Sequence, residues 1–307
     1  MIEYYKRGRP EEPFKISSSY VPNSWVKVID PTNEEIDLLS EKFGLDKSAI
    51  HDGLDAYETP RIDEDGGEVV YLFVRVPTMT VPQQTTYSLL VIIAKNNIIT
   101  ISKENLEIFE AMIGPKMKLI TTEKTKMILK ILSEISEKYN FNVRKIMKEV
   151  KSNKKNLLKL VEKDIHELVL QEDILNDYLS SFRPLMDMYN KLLRIKSIKF
   201  LDKDKEFIED LIVDLNQTFN TCEFALKSIS NMRDYYATTI SGDLNKILTV
   251  LTIFTVFLAI PMLIGSLFGM NIEIPLQGNA SAFEILATLV IILWIVMFFT
   301  FRKMKII

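Results

Sequence analysis

Residues 247–271 read ILTVLTIFTVFLAIPMLIGSLFGMN, and this stretch decides the architecture. No Asp, Glu, Lys or Arg occurs from Ile247 to Ile272, a gap of 26 residues. A helix needs about 20 apolar residues to cross the ~30 Å hydrocarbon core of a bilayer, and Ile247–Phe268 is long enough. A second uncharged stretch, Ile285–Phe301, follows a short loop and can extend backward through Ala280–Phe283, with Glu284 near one interface. Either stretch alone also reads as the buried core helix of a soluble protein. Two of them back to back at the chain end predict a membrane hairpin.

Working outward, the other residues carry nearly all the charge. The 307-residue chain is 47% hydrophobic and 26% charged, with a mean hydropathy of +0.08. Those averages match a soluble protein, and they conceal a charged first four fifths and a nearly uncharged last fifth. The apolar content excludes disorder, and 10 Gly with 11 Pro exclude a collagen-like chain. The lone Cys222 excludes a disulfide scaffold and fits a reducing cytosol. A net charge of −3 gives no case for nucleic acid as a partner. The opening residues, MIEYYKRGRPEEPFK, hold no apolar core of the signal-peptide kind. Arg302, Lys303 and Lys305 follow the second apolar stretch, Lys246 precedes the first, and Asn271–Glu284 has neither Lys nor Arg. The positive-inside rule then places both termini in the cytoplasm of a multi-pass protein of the cell (inner) membrane.

The region up to about residue 102 predicts a mixed α/β domain. Val26–Ile29, Val69–Val76, Thr86–Ala94 and Ile98–Ser102 are β-rich, with Asn96-Asn97 as a turn between the last two. Thr32 and Glu35 have capping-box spacing for a helix running to Phe43, with Gly44 as its C-cap, and Lys47–Ala56 predicts a second helix. From about Glu104 the period becomes helical, as in Met127, Ile128, Ile131, Leu132 and Ile135. Lys196–Lys205 breaks the pattern. From about Phe207 one helix can run through to Phe268, roughly 90 Å at ~1.5 Å per residue, so most of it stands in water as a stalk.

Within the first apolar stretch, Asn245, Leu248, Leu251, Thr255, Ala259, Met262 and Ser266 recur at spacings of 3, 3, 4, 4, 3 and 4. The stripe is less bulky and more polar than the face carrying Phe254 and Phe257. Such a stripe serves either helix packing or a pore lining. Two membrane helices cannot enclose a conduit, so a pore requires several subunits. Gly269 can adopt backbone angles that end a helix. Asn271 then places an uncharged amide whose carbonyl can accept a hydrogen bond from the water of a hydrated cation, which suits Mg²⁺ because it sheds water reluctantly. Glu273 and Glu284 make the loop negative and concentrate cations.

Gly269-Met270-Asn271 at the end of the penultimate membrane helix, before a short loop and a last helix with a basic tail, resembles the CorA magnesium transporters. Phe43-Gly44-Leu45 through Asp52, Leu54 and Pro60-Arg61 is similar to the family's cytosolic domain, as are the stretch around Gln171 with Arg183-Pro184-Leu185 and the segment Asn245, Leu248-Thr249. Phe268 stands where the family motif usually has Tyr. The resemblance implies an α+β membrane protein built as a homopentameric funnel. Residues 1–200 would be the cytosolic α/β domain with a helical hairpin. Residues 201–246 would be the stalk helix, continuous with the pore-lining helix 247–268. Residues 269–284 would form the extracytoplasmic loop, 285–301 the outer membrane helix and 302–307 the basic tail.

By the same resemblance, Gly269, Met270 and Asn271 form the selectivity ring, Asn245 lines the cytosolic mouth, and Asp52 and Asp210 hold a regulatory divalent ion between subunits. Asp234 matches a further acidic stalk position. Read by themselves, Asp52 and Asp210 are solvated helix acids, His51 and His166 are surface histidines, and Cys222 is a small packing residue. The function implied is passive transport of Mg²⁺, with Co²⁺ or Ni²⁺ as further cargo, gated by cytosolic Mg²⁺. Its partners are lipid, divalent cations and copies of itself. No covalent chemistry is implied and no Walker loop is present. Two alternatives stand: a zinc transporter of the ZntB type, whose motif usually differs at the position of Met270, and a membrane-anchored cytosolic sensor that conducts nothing.

Overall fold

The computed structural model describes residues 1–67, 69–78, 85–114, 119–155, 161–271 and 281–303. The chain divides into two compact units, Met1–Met232 and Arg233–Ile307. In the first unit seven strands form one sheet in the order β2-β1-β3-β7-β6-β5-β4. They are β1 (Ile2–Lys6), β2 (Lys15–Ser17), β3 (Trp25–Ile29), β4 (Arg61–Asp65), β5 (Val69–Pro77), β6 (Thr86–Ile93) and β7 (Ile98–Ser102). β3 and β7 are parallel and every other pair is antiparallel.

The central strands are apolar on both faces because helices cover both. Tyr71, Phe73, Leu90 and Ile92 pack with Ile36 and Leu39 of α1 (Asn33–Phe43) and Ile50 of α2 (Lys47–Gly53). Val70, Leu72, Val74, Leu89 and Val91 face the opposite side. There they meet α3 (Glu107–Ile113), α4 (Lys124–Lys155), α5 (Glu162–Arg194) and the start of α6 (Asp202–Phe268). The α4 residues at 127, 128, 131, 132 and 135 are all buried, as their spacing predicts.

Local signals explain the precise termini. Thr32 Oγ1 accepts from the Glu35 amide at 3.2 Å while Glu35 Oε2 accepts from the Thr32 amide at 3.1 Å. Gly44 ends α1 in the left-handed region at φ +66°. Other expectations shift. α2 stops at Gly53 rather than Ala56, where the Gly53 carbonyl accepts from Ser88 Oγ at 2.9 Å. α6 starts at Asp202, within the predicted connection, because Asp204 Oδ2 accepts from the Leu201 amide at 3.0 Å and caps it. Strands β1, β2 and β4 were not expected from the sequence. β2 and β4 are the two edges of the sheet, β1 lies beside β2 and buries Tyr4 and Tyr5, and β4, RIDED, buries only Ile62.

Within the first unit α6 buries Ile208, Leu211, Leu215, Cys222, Ala225, Ile229 and Met232. In the second unit the remainder of α6 packs with α7 (Ala282–Lys303). Both helices are long and apolar enough to cross a membrane.

Candidate functional site

The second unit separates the two faces of its first helix. Thr249, Ile253, Phe257, Ile260 and Ile264 are partly covered. Phe257 lies against Trp294 and Phe301 of α7, with ring centroids 6.3 and 6.2 Å away. The predicted stripe of Asn245, Leu248, Leu251, Thr255, Ala259, Met262 and Ser266 is exposed along its whole length. At about 100° per residue the two sets lie on roughly opposite sides of the helix. The stripe is therefore not the surface that packs on α7. It remains available to other copies of the chain or to water.

The hydroxyls on this helix have a defined polarity. Thr255 Oγ1 donates to the Leu251 carbonyl at 2.8 Å, and Thr249 Oγ1 donates to the Asn245 carbonyl at 2.8 Å. A hydroxyl whose proton is committed to its own helix presents only lone pairs outward. Thr255 can therefore accept a hydrogen bond from water along the exposed face. At the N-terminal end of the stripe Lys246 Nζ pairs with Asp243 Oδ1 at 2.8 Å, and that hydrogen bond raises the Lys246 pKa.

α6 ends at Phe268, one residue before the motif. The Gly269 amide donates to the carbonyls of Gly265 and Ser266 at 3.0 and 3.2 Å. Gly269 is not in the left-handed region; the glycines that are, among the described residues, are Gly44, Gly66 and Gly67. What Gly269 supplies is space, since a Cβ there would lie 3.3 Å from the Gly265 carbonyl oxygen. Met270 and Asn271 are exposed beyond the helix end. Glu273 and Lys305 lie outside the described residues.

In the first unit Asp52, on α2, is bound by its own chain: Arg61 Nη2 donates to Asp52 Oδ2 at 2.9 Å. Arg61 also bonds Asp63 at 2.7 Å and Glu58, and its guanidinium lies 3.8 Å over the Phe73 ring. Burial works against the charged guanidinium, but the hydrogen bonds from Asp63 and Glu58 outweigh it and raise the Arg61 pKa. Asp210 is exposed on α6 between the buried Ile208 and Leu211, and Asp234 is exposed further along the helix. Among the described residues no three of His, Cys, Asp and Glu gather to hold a metal within the chain. Both histidines are exposed. Cys222 is buried, its thiol 3.4 Å from the Leu175 carbonyl, and burial pushes its pKa up to about 12. Two residues that periodicity alone does not reveal are Arg61, as the counter-charge of Asp52, and Trp294, as the α7 partner of Phe257.

The family model described as CorA-like Mg2+ transporter protein matches residues 23–303. The cobalt/magnesium transport protein CorA of Methanocaldococcus jannaschii is 27% identical over 293 residues, covering 91% of this chain and 90% of that protein. The solved structure of the CorA magnesium transporter from that organism has a TM-score of 0.82 at 24% identity, covering 99% of this chain and 98% of that one. The cytoplasmic domain of ZntB from Vibrio parahaemolyticus gives a TM-score of 0.64 at 13% identity, covering 78% and 98%. These structural likenesses are likenesses of fold.

Proposed function

The chain belongs to the CorA-like Mg2+ transporter family, and from that premise we propose that it carries Mg²⁺, and with it Co²⁺, across the cell membrane through a homopentameric pore. The observation that carries this reading is the separation of faces on α6. One side is taken by α7, and the other presents a continuous exposed stripe with an acceptor hydroxyl at Thr255. Five such stripes around an axis make a conduit narrow enough to be read by its lining. Asn271, one residue beyond Met270, offers its carbonyl to the waters of an arriving ion. Passage needs no covalent step. A divalent ion gains roughly 4.6 kcal/mol per 100 mV of membrane potential, at ~2.3 kcal/mol per charge.

Regulation is read from the first unit. The Asp52 side chain is 47% exposed, and Asp210 is exposed as well. Both offer carboxylate oxygens, the donors Mg²⁺ takes. We assign them to a regulatory Mg²⁺ shared between neighbouring subunits. When cytosolic Mg²⁺ is high they are bridged and the stalks stay together; when it is low the acids repel one another and conduction rises. Asp234 on the stalk and Glu273 in the outer loop add negative potential along the path. Both termini lie in the cytoplasm, with Arg302 and Lys303 at the inner face.

The test is ion flux into proteoliposomes with and without an imposed potential, comparing Mg²⁺, Co²⁺ and Zn²⁺. Mg²⁺ uptake that follows the potential and is lost in Asn271→Ala is the expected result. Zn²⁺ uptake in its place would move the chain to the zinc-transporting branch. No flux of any ion would leave the hairpin as an anchor.

A further inference from the structure

The membrane segment of α6 contains one proline, Pro261. In an α-helix the carbonyl of residue i accepts from the amide of residue i+4. For Phe257 that residue is Pro261, which has no N–H. The Phe257 carbonyl is therefore orphaned by its own helix, and within hydrocarbon there is no water to satisfy it. The structure supplies a substitute from the other helix: Trp294 Nε1 of α7 donates to the Phe257 carbonyl at 2.8 Å. The indole ring lies against the Phe257 ring at 39° between planes, and Phe257 also touches Phe301. Tryptophan is a donor only, so the bond has one polarity and one geometry.

We propose that Trp294 is a positioning residue for the exposed stripe of α6, its indole N–H standing in for the amide that Pro261 lacks. Proline loosens a helix at the turn that precedes it. The bond from α7 is made at that turn and fixes the rotation of α6 there. Of the stripe residues, Thr255 and Ala259 lie two positions either side of Phe257 in sequence and Met262 follows Pro261, so their direction is set by this bond. The consequence for ion passage rests on the proposed function; the bond and its role in stability do not.

The test is a double-mutant cycle in the full-length protein. Trp294→Phe keeps an aromatic ring and removes the donor. Pro261→Ala returns the amide to the helix and makes Trp294 dispensable. Trp294→Phe alone is expected to lower the melting temperature in detergent by about 2–4 °C. In the folded protein it is also expected to change the ratio of Mg²⁺ to Co²⁺ flux, which mere loss of folded protein leaves constant. In the Pro261→Ala background both effects should shrink to less than about a third. Equal losses in the two backgrounds overturn the proposal, as does an unchanged flux ratio in Trp294→Phe. If Trp294→Phe does not fold, recovery of folding in the double variant supports the proposal and failure to recover overturns it. If the unmutated protein carries no Mg²⁺, the functional reading fails, and the melting temperatures alone decide whether Trp294 replaces the missing amide.

Discussion

Arg61 and Asp52 form an ion pair at 2.9 Å between the first residue of β4 and helix α2. Asp63, Glu58 and the face of Phe73 hold the guanidinium independently of Asp52. Asp52 thus works beside a fixed positive charge, which opposes a divalent cation at the same carboxylate. Arg61→Gln should tighten Mg²⁺ at this site by roughly tenfold, the scale of one charge removed from within ~5 Å in a screened environment. Two measurements check it: protection against thermal unfolding by Mg²⁺, and the internal Mg²⁺ concentration that halves flux. Asp52→Asn separates the causes. If it leaves Mg²⁺ protection unchanged, Asp52 is not a ligand; if it abolishes protection while Arg61→Gln has no effect, the charge argument fails.

Thr255 and Thr288 make the same local bond, each donating to the carbonyl four residues earlier at 2.8 and 2.7 Å. Thr255 is on the stripe and Thr288 is on α7. Thr255→Val keeps the shape and removes the acceptor, so Mg²⁺ flux should fall several-fold, whereas Thr288→Val should leave it unchanged. Equal effects from the two would show that the stripe does not line the ion path.

Burial raises the pKa of four groups in the first unit. The Cys222 thiol is pushed up to about 12, and desolvation lifts the phenols of Tyr139, Tyr178 and Tyr189 above their ordinary value. The folded state keeps these protons at a pH where the unfolded chain releases them. Their contribution to stability is complete below about pH 9 and is lost as pH rises toward 12, at about 1.4 kcal/mol per pH unit for each group fully titrating in the unfolded state. Melting temperatures should be flat in this respect from pH 7 to 9 and fall steeply above. Cys222→Ala should soften the decline from its onset. A stability curve that stayed level to pH 11.5 would contradict the account.

Gly53 and Gly44 end neighbouring helices for different reasons. A Cβ on Gly53 would lie 2.6 Å from Leu90 Cβ, where α2 sits on the sheet. Gly53→Ala should cost about 1–3 kcal/mol by overpacking. Gly44 has open space around its Cα but a φ of +66°, so Gly44→Ala should cost about 1–2 kcal/mol through backbone strain alone. Denaturant titration of the variants checks both. Gly44→Asn should recover part of the loss because Asn tolerates that conformation, while Gly53→Asn should be worse than Gly53→Ala.

The membrane hairpin, the capping box of α1, the end of that helix at Gly44 and the apolar strands β3, β5, β6 and β7 could all be read from residue order. Each depends on neighbours within one element: an uncharged length, a three-residue spacing, a glycine after the last turn, a run of β-branched residues. The stripe was legible as a period too, but its meaning was not, since packing and pore lining share the same spacing. Tertiary structure narrowed it by placing α7 against Phe257 and leaving Thr255 exposed, so the stripe is not the surface that packs on α7. It also decided the edge strand β4, whose acids mask its pairing with β5, the charge beside Asp52 and the donor for the carbonyl that Pro261 orphans. The last two join residues 9 and 37 positions apart. No local period encodes them, because a charge or an unpaired carbonyl announces only that it needs a partner, and folding determines which side chain arrives.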